Sequence, residues 1–249
     1  MIERERSVGV LLKSTDVVTE GDLTRLCPAP LRLHMTRVAL EPGEDFDSIE
    51  ASLKPACAQI ADAQPELVIL ACASATFAGG VTLDQKISER IGALTGCPVI
   101  TAASAIVDGA QRLGMRRVLL MSPYSDAIDA GIRNMFETVG MEVADILGLR
   151  PKEIFQPAFL ERFPGTGNRL IDPAWIPEMA SQALTAVAGV DGIVIACTGL
   201  RVSEILATLE QYTELPVVAA NQATAAAVQQ ALNLQIPVTG FGGLLEALP

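Results

Sequence analysis

Short runs of apolar, often β-branched residues recur along the chain, and each has a turn signal nearby. A run of this length and composition is typical of a buried β-strand. Three kinds of run occur twice, once in each half of the sequence. The pairs are residues 8–14 with 117–122, residues 67–72 with 192–197, and residues 97–103 with 215–221. This repetition predicts that the protein consists of two similar halves.

Helical patterns fill the gaps between these strands. They span residues 49–63, 84–95, 127–139, 177–187, 202–212 and 223–234. Because strands and helices alternate, we expect a parallel sheet in each half. The pattern therefore predicts an α/β fold of two pseudo-symmetric, Rossmann-like lobes. Each lobe is a parallel sheet flanked by helices, and the active site is expected between the lobes.

The length of 249 residues fits two such lobes, since domains are usually about 100–150 residues long. We place the N-terminal α/β lobe at residues 1–112 and the C-terminal α/β lobe at residues 113–249. The C-terminal end is expected to pack on the first lobe. Residues 163–167 contain Pro and Gly, which predict a loop.

Composition narrows the classes of function. Half of the residues are apolar, chiefly Ala, Val, Leu and Ile, which suits parallel strands covered by helices on both faces. The formal net charge of −11 repels phosphate backbones, so nucleic-acid binding is not expected. No apolar run is long enough to cross a membrane. Residues 1–6 are charged and lack the apolar core of a signal peptide, so the sequence predicts a cytoplasmic location.

The cysteines do not resemble a disulfide framework or a metal site. The chain has five, an odd and scattered set with no Cys-x-x-Cys pair: Cys27, Cys57, Cys72, Cys97 and Cys197. Since His34 is the only histidine, a zinc site and a Cys-His or Ser-His-Asp arrangement are both disfavoured, unless His34 itself is the base. We therefore expect neither a metal nor a cofactor.

Cys72 and Cys197 each stand at the carboxyl end of a predicted strand, where parallel sheets bind ligands. Each is followed by small or polar residues and then a helix. Backbone N–H groups and the helix dipole at such a point favour the thiolate and can also hold a carboxylate. If the halves are related by a pseudo-two-fold axis, the two thiols face each other across one cleft. One can then attack carbon or accept a proton while the other donates a proton.

The simpler interpretation is that a free cysteine is a small buried hydrophobic residue. We retain that interpretation for Cys27, Cys57 and Cys97. For Cys72 and Cys197, the matching positions at two strand ends favour a catalytic function instead. A racemase or a cis–trans isomerase needs two facing groups of this kind and no cofactor.

Three segments carry a resemblance to a known family. Residues 68–74, 122–124 and 195–201 resemble the aspartate/glutamate/hydantoin racemase superfamily. The most similar branch contains maleate cis–trans isomerases, ectoine-utilisation racemase-like proteins and arylmalonate decarboxylases. The resemblance implies that Cys72 attacks the double bond of the substrate and that Cys197 handles the proton.

The same resemblance implies a set of substrate-binding residues, namely Ser14, Asp16, Ala73, Ser74, Tyr124, Asn168, Thr198 and Gly199. The hydroxyl or N–H groups of Ser74, Tyr124, Thr198 and Gly199 would hold the carboxylate oxygens of the substrate. Local structural roles are the alternatives. Tyr124 could begin a helix, Ser74 and Thr198 could cap helices, and Asn168 could be a turn residue. Asn221 and Gln222 could likewise cap the last helix.

The chain departs from the isomerase pattern after the first strand. Isomerases usually have Pro-Ser-Ser-Asn there, whereas this chain has Lys13, Ser14, Thr15 and Asp16. An Asp in place of the amide is unfavourable for a dianionic substrate unless Lys13 or another cation offsets it. A substrate with an amine would suit Asp16. Decarboxylases of this branch carry glycine where Cys72 stands, which disfavours that activity.

The sequence thus predicts a cofactor-independent two-cysteine isomerase of a small carboxylate, with maleate cis–trans isomerisation as the best single hypothesis. The alternatives are a racemase of an amino acid or an ectoine-derived amino acid, an arylmalonate-type decarboxylase, and a non-catalytic protein that binds a small ligand. A homodimer or higher homo-oligomer is expected. His34 is interpreted as a structural or surface histidine rather than a catalyst. Arg37 and Arg201 could each supply charge for a substrate carboxylate or form a surface ion pair.

Overall fold

The computed structural model describes residues 6–28, 31–41, 43–162, 167–234 and 236–246. Its strands are β1 (Arg6–Lys13), β2 (Leu31–Val38), β3 (Leu67–Ala71), β4 (Val99–Thr101), β5 (Arg117–Ser122), β6 (Glu142–Gly148), β7 (Gly192–Ile195) and β8 (Val217–Ala219). Its α-helices are α1 (Thr19–Leu26), α2 (Phe46–Asp62), α3 (Ala73–Phe77), α4 (Gly80–Thr95), α5 (Ala102–Arg112), α6 (Asp126–Thr138), α7 (Pro151–Ile154), α8 (Pro157–Leu160), α9 (Ile176–Ala186), α10 (Leu206–Thr213), α11 (Ala220–Ala231) and α12 (Gly243–Glu246).

The strands form two four-stranded sheets with the same topology. One has the order β2-β1-β3-β4 and the other the order β6-β5-β7-β8. Every neighbouring pair within each sheet is parallel. The predicted fold class, two α/β lobes with parallel sheets flanked by helices, is confirmed.

The central strands are apolar throughout because helices cover both of their faces. All five residues of β3 are buried. Val68 and Leu70 contribute to one apolar cluster, whereas Leu67 and Ile69 contribute to another on the opposite face. This alternation is the period of two that a strand imposes on its side chains. It also places Cys72 on the face of Val68 and Leu70.

Two predicted strands end earlier than the sequence indicated. Residues 97–103 and 215–221 were expected to be strands, but α5 begins at Ala102 and α11 begins at Ala220. The Thr101 side chain accepts a hydrogen bond from the Ser104 N–H and so caps α5. Alanine, the best helix former, then continues the helix. The predicted helix at 202–212 likewise begins as a 3-10 turn, Ser203–Ile205.

The predicted loop at residues 163–167 is described only in part. Residues 163–166 lie outside the described residues. Gly167 opens a 3-10 turn, Gly167–Leu170, rather than an irregular loop. This turn carries Asn168, and its position matters for the site described below.

Elements from the two halves of the chain pack directly against each other. Helix α11 contacts α1 and α5, and one apolar cluster contains buried residues from both sheets. Helix α3 also contacts α6. At that contact, a Cβ on Gly131 would lie 1.8 Å from the carbonyl oxygen of Phe77, so the backbones meet more closely than a side chain permits. The division at residues 112 and 113 stays a prediction.

A buried polar cluster also joins the two halves. The carboxylate of Asp22, in α1, accepts hydrogen bonds from Ser203 Oγ (2.8 Å), Asn221 Nδ2 (2.9 Å) and Arg25 (2.7 Å). Asn221 Nδ2 also donates to the carbonyl oxygen of Thr198 at 2.9 Å. Buried polar groups need such partners, so this cluster fixes α1 against α11 and the segment after β7.

Candidate active site

A small cavity of about 130 Å³ lies where β1, β3, β5 and β7 end. Parallel strands present their ligand sites at this edge. The cavity is lined by Lys13, Thr15, Asp16, Val17, Val18, Cys72, Ser74, Tyr124, Asn168, Arg169, Cys197, Thr198 and Gly199. Both lobes therefore contribute to a single cavity, and both cysteines face it.

Eight of the predicted catalytic and binding residues line this cavity, namely Cys72, Cys197, Asp16, Ser74, Tyr124, Asn168, Thr198 and Gly199. Two others lie elsewhere. Ser14 is exposed, and its carbonyl oxygen accepts a hydrogen bond from Arg37. Ala73 is the first residue of α3 and is buried in an apolar cluster.

Cys72 sits between the end of β3 and the start of α3, with only 3% of the residue exposed. Burial raises the pKa of its thiol, because a thiolate loses solvation there. The Ser74 hydroxyl, 3.8 Å from Sγ, the Ala75 N–H and the positive charge of Lys13 all oppose this rise in pKa. The negative charge of Asp16 adds to it.

Cys197 has a different set of neighbours. Burial raises the pKa of its thiol to about 11, and the charge of Asp16 adds to this effect. Hydrogen bonds from the Tyr124 hydroxyl, the Gly199 N–H and Asn168 oppose it, with Asn168 Nδ2 3.4 Å from the sulfur. With a pKa of about 11, the thiol keeps its proton at neutral pH.

Tyr124 lies between the two cysteines. Burial raises the pKa of its hydroxyl well above the usual value, and the charges of Cys197, Cys72 and Asp16 raise it further. The hydroxyl therefore stays protonated and acts as a hydrogen-bond donor. Its backbone is held on both sides, since its N–H donates to Ser122 Oγ at 3.2 Å and its carbonyl oxygen accepts from Arg150 Nε at 2.7 Å.

Asp16 lines the cavity, but its carboxylate is occupied by the protein. Oδ1 accepts from the N–H groups of Val18 (2.8 Å) and Thr19 (2.9 Å). Oδ2 accepts from the hydroxyls of Thr19 (2.7 Å) and Thr198 (3.0 Å). The bond to Thr198 joins the loop after β1 to the loop after β7. Asp16 thus links the two sides of the cavity.

Residues 35–245, well over half of the chain, match the arylmalonate decarboxylase family. The chain belongs to this family. The resemblance predicted from the sequence, to the branch with maleate isomerases and arylmalonate decarboxylases, is confirmed.

Proteins similar to this family member include both maleate isomerases and arylmalonate decarboxylases. A maleate isomerase from Pseudomonas putida is 26% identical over 96% of each chain. An arylmalonate decarboxylase from Bordetella bronchiseptica is 23% identical over 87% of this chain and 86% of its own. A solved maleate cis–trans isomerase from Nocardia farcinica, with one cysteine replaced by serine, superposes with a TM-score of 0.74. It is 23% identical, covers 97% of this chain and 98% of its own, and carries a covalently bound succinylcysteine intermediate.

Lys13 and Arg169 also line the cavity of this family member, although neither was among the residues predicted from the sequence to bind substrate. The signal for Arg169 was its place directly after Asn168. His34, Arg37 and Arg201 are not among the lining residues. Arg37 donates to the carbonyl oxygens of Ser14 and Asp16 and so braces the loop after β1.

The part of the chain that the structure describes contains neither a membrane-spanning helix nor a metal-binding cluster. No helix there combines the length and the apolar character that crossing a membrane requires. The His, Cys, Asp and Glu side chains of the same residues form no group of three or more that could hold a metal ion.

Proposed function

We propose that this protein is a cofactor-independent isomerase that converts maleate to fumarate, with Cys72 as nucleophile and Cys197 as proton donor and acceptor. The observation that carries the proposal is that these two thiols, far apart in sequence, line one small cavity at the carboxyl ends of two sheets. Maleate isomerases matching along nearly the whole chain support this reaction. So does the covalent cysteine intermediate of a structural relative.

The chemistry divides into two half-reactions. The Cys72 thiolate forms a C–S bond to one alkene carbon, and the π electrons move to the other alkene carbon. That carbon takes the Cys197 proton, which gives a succinyl-cysteine with a single bond where the double bond was. After rotation about this bond, the Cys197 thiolate removes the original hydrogen of that carbon and the C–S bond breaks. These steps release fumarate and restore the Cys72 thiolate and the Cys197 thiol.

The neutral donors around the thiols suit a carboxylate substrate. Attack on the alkene places negative charge on the adjacent carboxylate, and donors already in position stabilise that charge without having to reorganise. Ser74 lies on the Cys72 side, and Asn168, Thr198 and Gly199 lie on the Cys197 side. The hydroxyl of Tyr124 lies near both thiols.

Proton NMR of the intact protein with maleate in deuterium oxide tests this proposal. The expected result is fumarate formation with incorporation of deuterium at the alkene carbon, at a rate that a chelator does not change. Cys72→Ser and Cys197→Ser are each expected to lose nearly all turnover. If either variant keeps the wild-type rate, the two-thiol mechanism is wrong.

Decarboxylation of an arylmalonate is the second candidate, because the family match bears the name of that activity. Such a reaction needs the second-lobe thiol for protonation but not the first. Release of carbon dioxide from phenylmalonate that persists in Cys72→Ser would favour this alternative. The cytoplasmic location and the homo-oligomer expected from the sequence stay predictions.

A further inference from the structure

Lys13 and Cys72 are neighbours across the first sheet. Leu12 of β1 pairs with Ala71 of β3 in parallel register, so the next residues along each strand, Lys13 and Cys72, come side by side. Adjacent strands lie about 4.8 Å apart. Because side chains alternate between faces, Lys13 shares a face with Leu11, and Leu11 packs in the same cluster as Cys72.

The ammonium group of Lys13, at the edge of the cavity, forms a weak ion pair with Glu41. Only 17% of its side chain is exposed, and its Nζ lies 3.3 Å from an Oε atom of Glu41, whose side chain is 69% exposed. An ion pair with such an exposed carboxylate is screened by solvent and contributes little stability. A carboxylate inside the cavity would meet the same ammonium group with less screening.

The negative charge of Asp16 makes positive charge in the cavity favourable for binding a dianion. Asp16 contributes a negative charge, and its oxygens are taken up by four hydrogen bonds from the protein. A substrate with two carboxylates would be repelled by Asp16 unless a cation compensates. Lys13 lies on the Cys72 side of the cavity, and Arg169 follows Asn168 on the Cys197 side.

The residue of the second lobe that occupies the position of Lys13 carries no charge. Met121 of β5 pairs with Ile195 of β7, so the residue beside Cys197 is Pro123, which carries no charge. The difference gives the cavity a polarity, with an ammonium group next to one thiol only.

We propose that Lys13 is a specificity-determining residue that binds one carboxylate of a dicarboxylate substrate beside Cys72. This inference rests on the proposed function and assigns the substrate class of the same site. The ammonium group orients the substrate so that the alkene carbon nearer this carboxylate faces the Cys72 sulfur. The second carboxylate then faces the Cys197 side of the cavity, which Arg169 and neutral donors line.

Steady-state kinetics with two substrates test the proposal. Maleate carries two carboxylates, and its monoamide, maleamate, has the same cis skeleton with only one. Lys13→Met is expected to raise KM for maleate about 10-fold or more, the effect of losing a charge-assisted hydrogen bond. KM for maleamate is expected to change much less. Lys13→Arg keeps the charge and is expected to recover part of the affinity for maleate.

Two further variants serve as controls. Lys54→Met removes a lysine of α2 that pairs with Glu50 and is expected to leave both KM values unchanged. Glu41→Gln removes the competing carboxylate and is expected to lower KM for maleate or leave it unchanged. If Glu41→Gln raises KM as Lys13→Met does, Lys13 acts only through its ion pair, and the proposal is overturned.

A binding measurement separates this inference from the proposed reaction. Calorimetric titration of maleate, succinate and maleamate into Cys72→Ser/Cys197→Ser, with and without Lys13→Met, requires no turnover. A preference for the dicarboxylates that disappears with Lys13→Met supports the inference even if the wild-type protein does not isomerise maleate. An unchanged preference overturns it, whether or not the protein is an isomerase. Circular dichroism melts confirm that each variant is folded.

Discussion

The two lobes share a strand order and place a cysteine at the same point of the sheet, but they surround it differently. Cys72 lies beside the cation Lys13, with the Ser74 hydroxyl and a backbone N–H nearby. Cys197 lies among neutral donors, namely the Tyr124 hydroxyl, the Asn168 amide and a backbone N–H. The shared fold determines where the thiols are, and the residues at the strand ends determine what each thiol can do.

This difference between the two thiols suits an isomerisation, which needs one nucleophile and one proton donor. Burial raises the pKa of both thiols, and the cation beside Cys72 opposes that rise, which favours the nucleophilic thiolate at this thiol. Burial, with the charge of Asp16 adding to it, raises the pKa of Cys197 to about 11 against the effect of the neutral donors, so this thiol holds a proton to give. A symmetric pair of environments would serve a reaction that runs equally from both sides, as a racemase requires.

The largest expected effect is the loss of kcat when either catalytic cysteine is replaced, and its size is expected to differ between Cys72 and Cys197. Cys72→Ser is expected to lower kcat by about 10⁴-fold or more, as loss of a nucleophile does. Cys197→Ser is expected to lower it by about 10²- to 10⁴-fold, as loss of a general acid does. With maleate, peptide mass spectrometry is expected to find a succinyl adduct on Cys72 in the Cys197→Ser variant. An adduct on Cys197 in Cys72→Ser would reverse the assignment.

Tyr124 gives the next largest effect. Tyr124→Phe removes the hydroxyl that hydrogen-bonds Cys197 and is expected to lower kcat by about 10²-fold, as loss of one positioned donor does. Because that hydrogen bond lowers the pKa of Cys197, its loss raises the pKa, makes the thiol a weaker acid and hinders the step in which it donates its proton. Tyr212→Phe is the control, since Tyr212 is 58% exposed. Equal rates for both variants would remove Tyr124 from the mechanism.

The contact between the lobes is tested by two glycines in helices. Gly131→Ala places a Cβ against the Phe77 carbonyl oxygen and is expected to lower the free energy of unfolding by about 1–3 kcal/mol. Gly21→Ala, in α1, meets nothing within 4 Å and is expected to raise it by up to about 1 kcal/mol. Thermal or urea unfolding measures both. If Gly131→Ala leaves the free energy of unfolding unchanged, α3 and α6 can move apart at little energetic cost.

The smallest effect concerns the pH dependence of alkylation by iodoacetamide, read for each cysteine by peptide mass spectrometry. Burial raises the pKa of Cys197 to about 11, so its thiolate fraction, and hence its alkylation rate, is expected to rise about tenfold per unit between about pH 7 and pH 10. Cys27, a half-buried residue whose thiol pKa burial raises to about 12, gives the reference for a thiol outside the cavity. A plateau for Cys197 near pH 8 would contradict the proton-donor role.

The fold could be predicted because its signals are local. A parallel strand covered on both faces is apolar throughout, and the duplication repeats that signal once in each half. The ends of β4 and β8 were misplaced because alanine follows both strands, and only the Thr101 cap shows where α5 begins. Helix α1 and strand β6 carry weaker patterns and were not predicted as elements.

The site could be predicted only as far as strand ends reveal it. Cys72 and Cys197 stand out because each follows a central strand. The partners of Asp16 could not be found in the same way, since the Thr198 hydroxyl that it accepts from is 182 residues away. The direction of Lys13 also depends on Glu41 and on the register between β1 and β3, which a single sequence does not display.

Helix α11 has a consequence for how the protein is made. It is encoded in the second half of the chain, yet it packs on α1 and α5 of the first. While a ribosome is still synthesising the chain, Ile106 and Ala110, which belong to the apolar cluster that α11 completes, lack this cover. The first half therefore emerges with an unfinished apolar surface, and the two halves can complete one cooperative unit only after α11 has been synthesised.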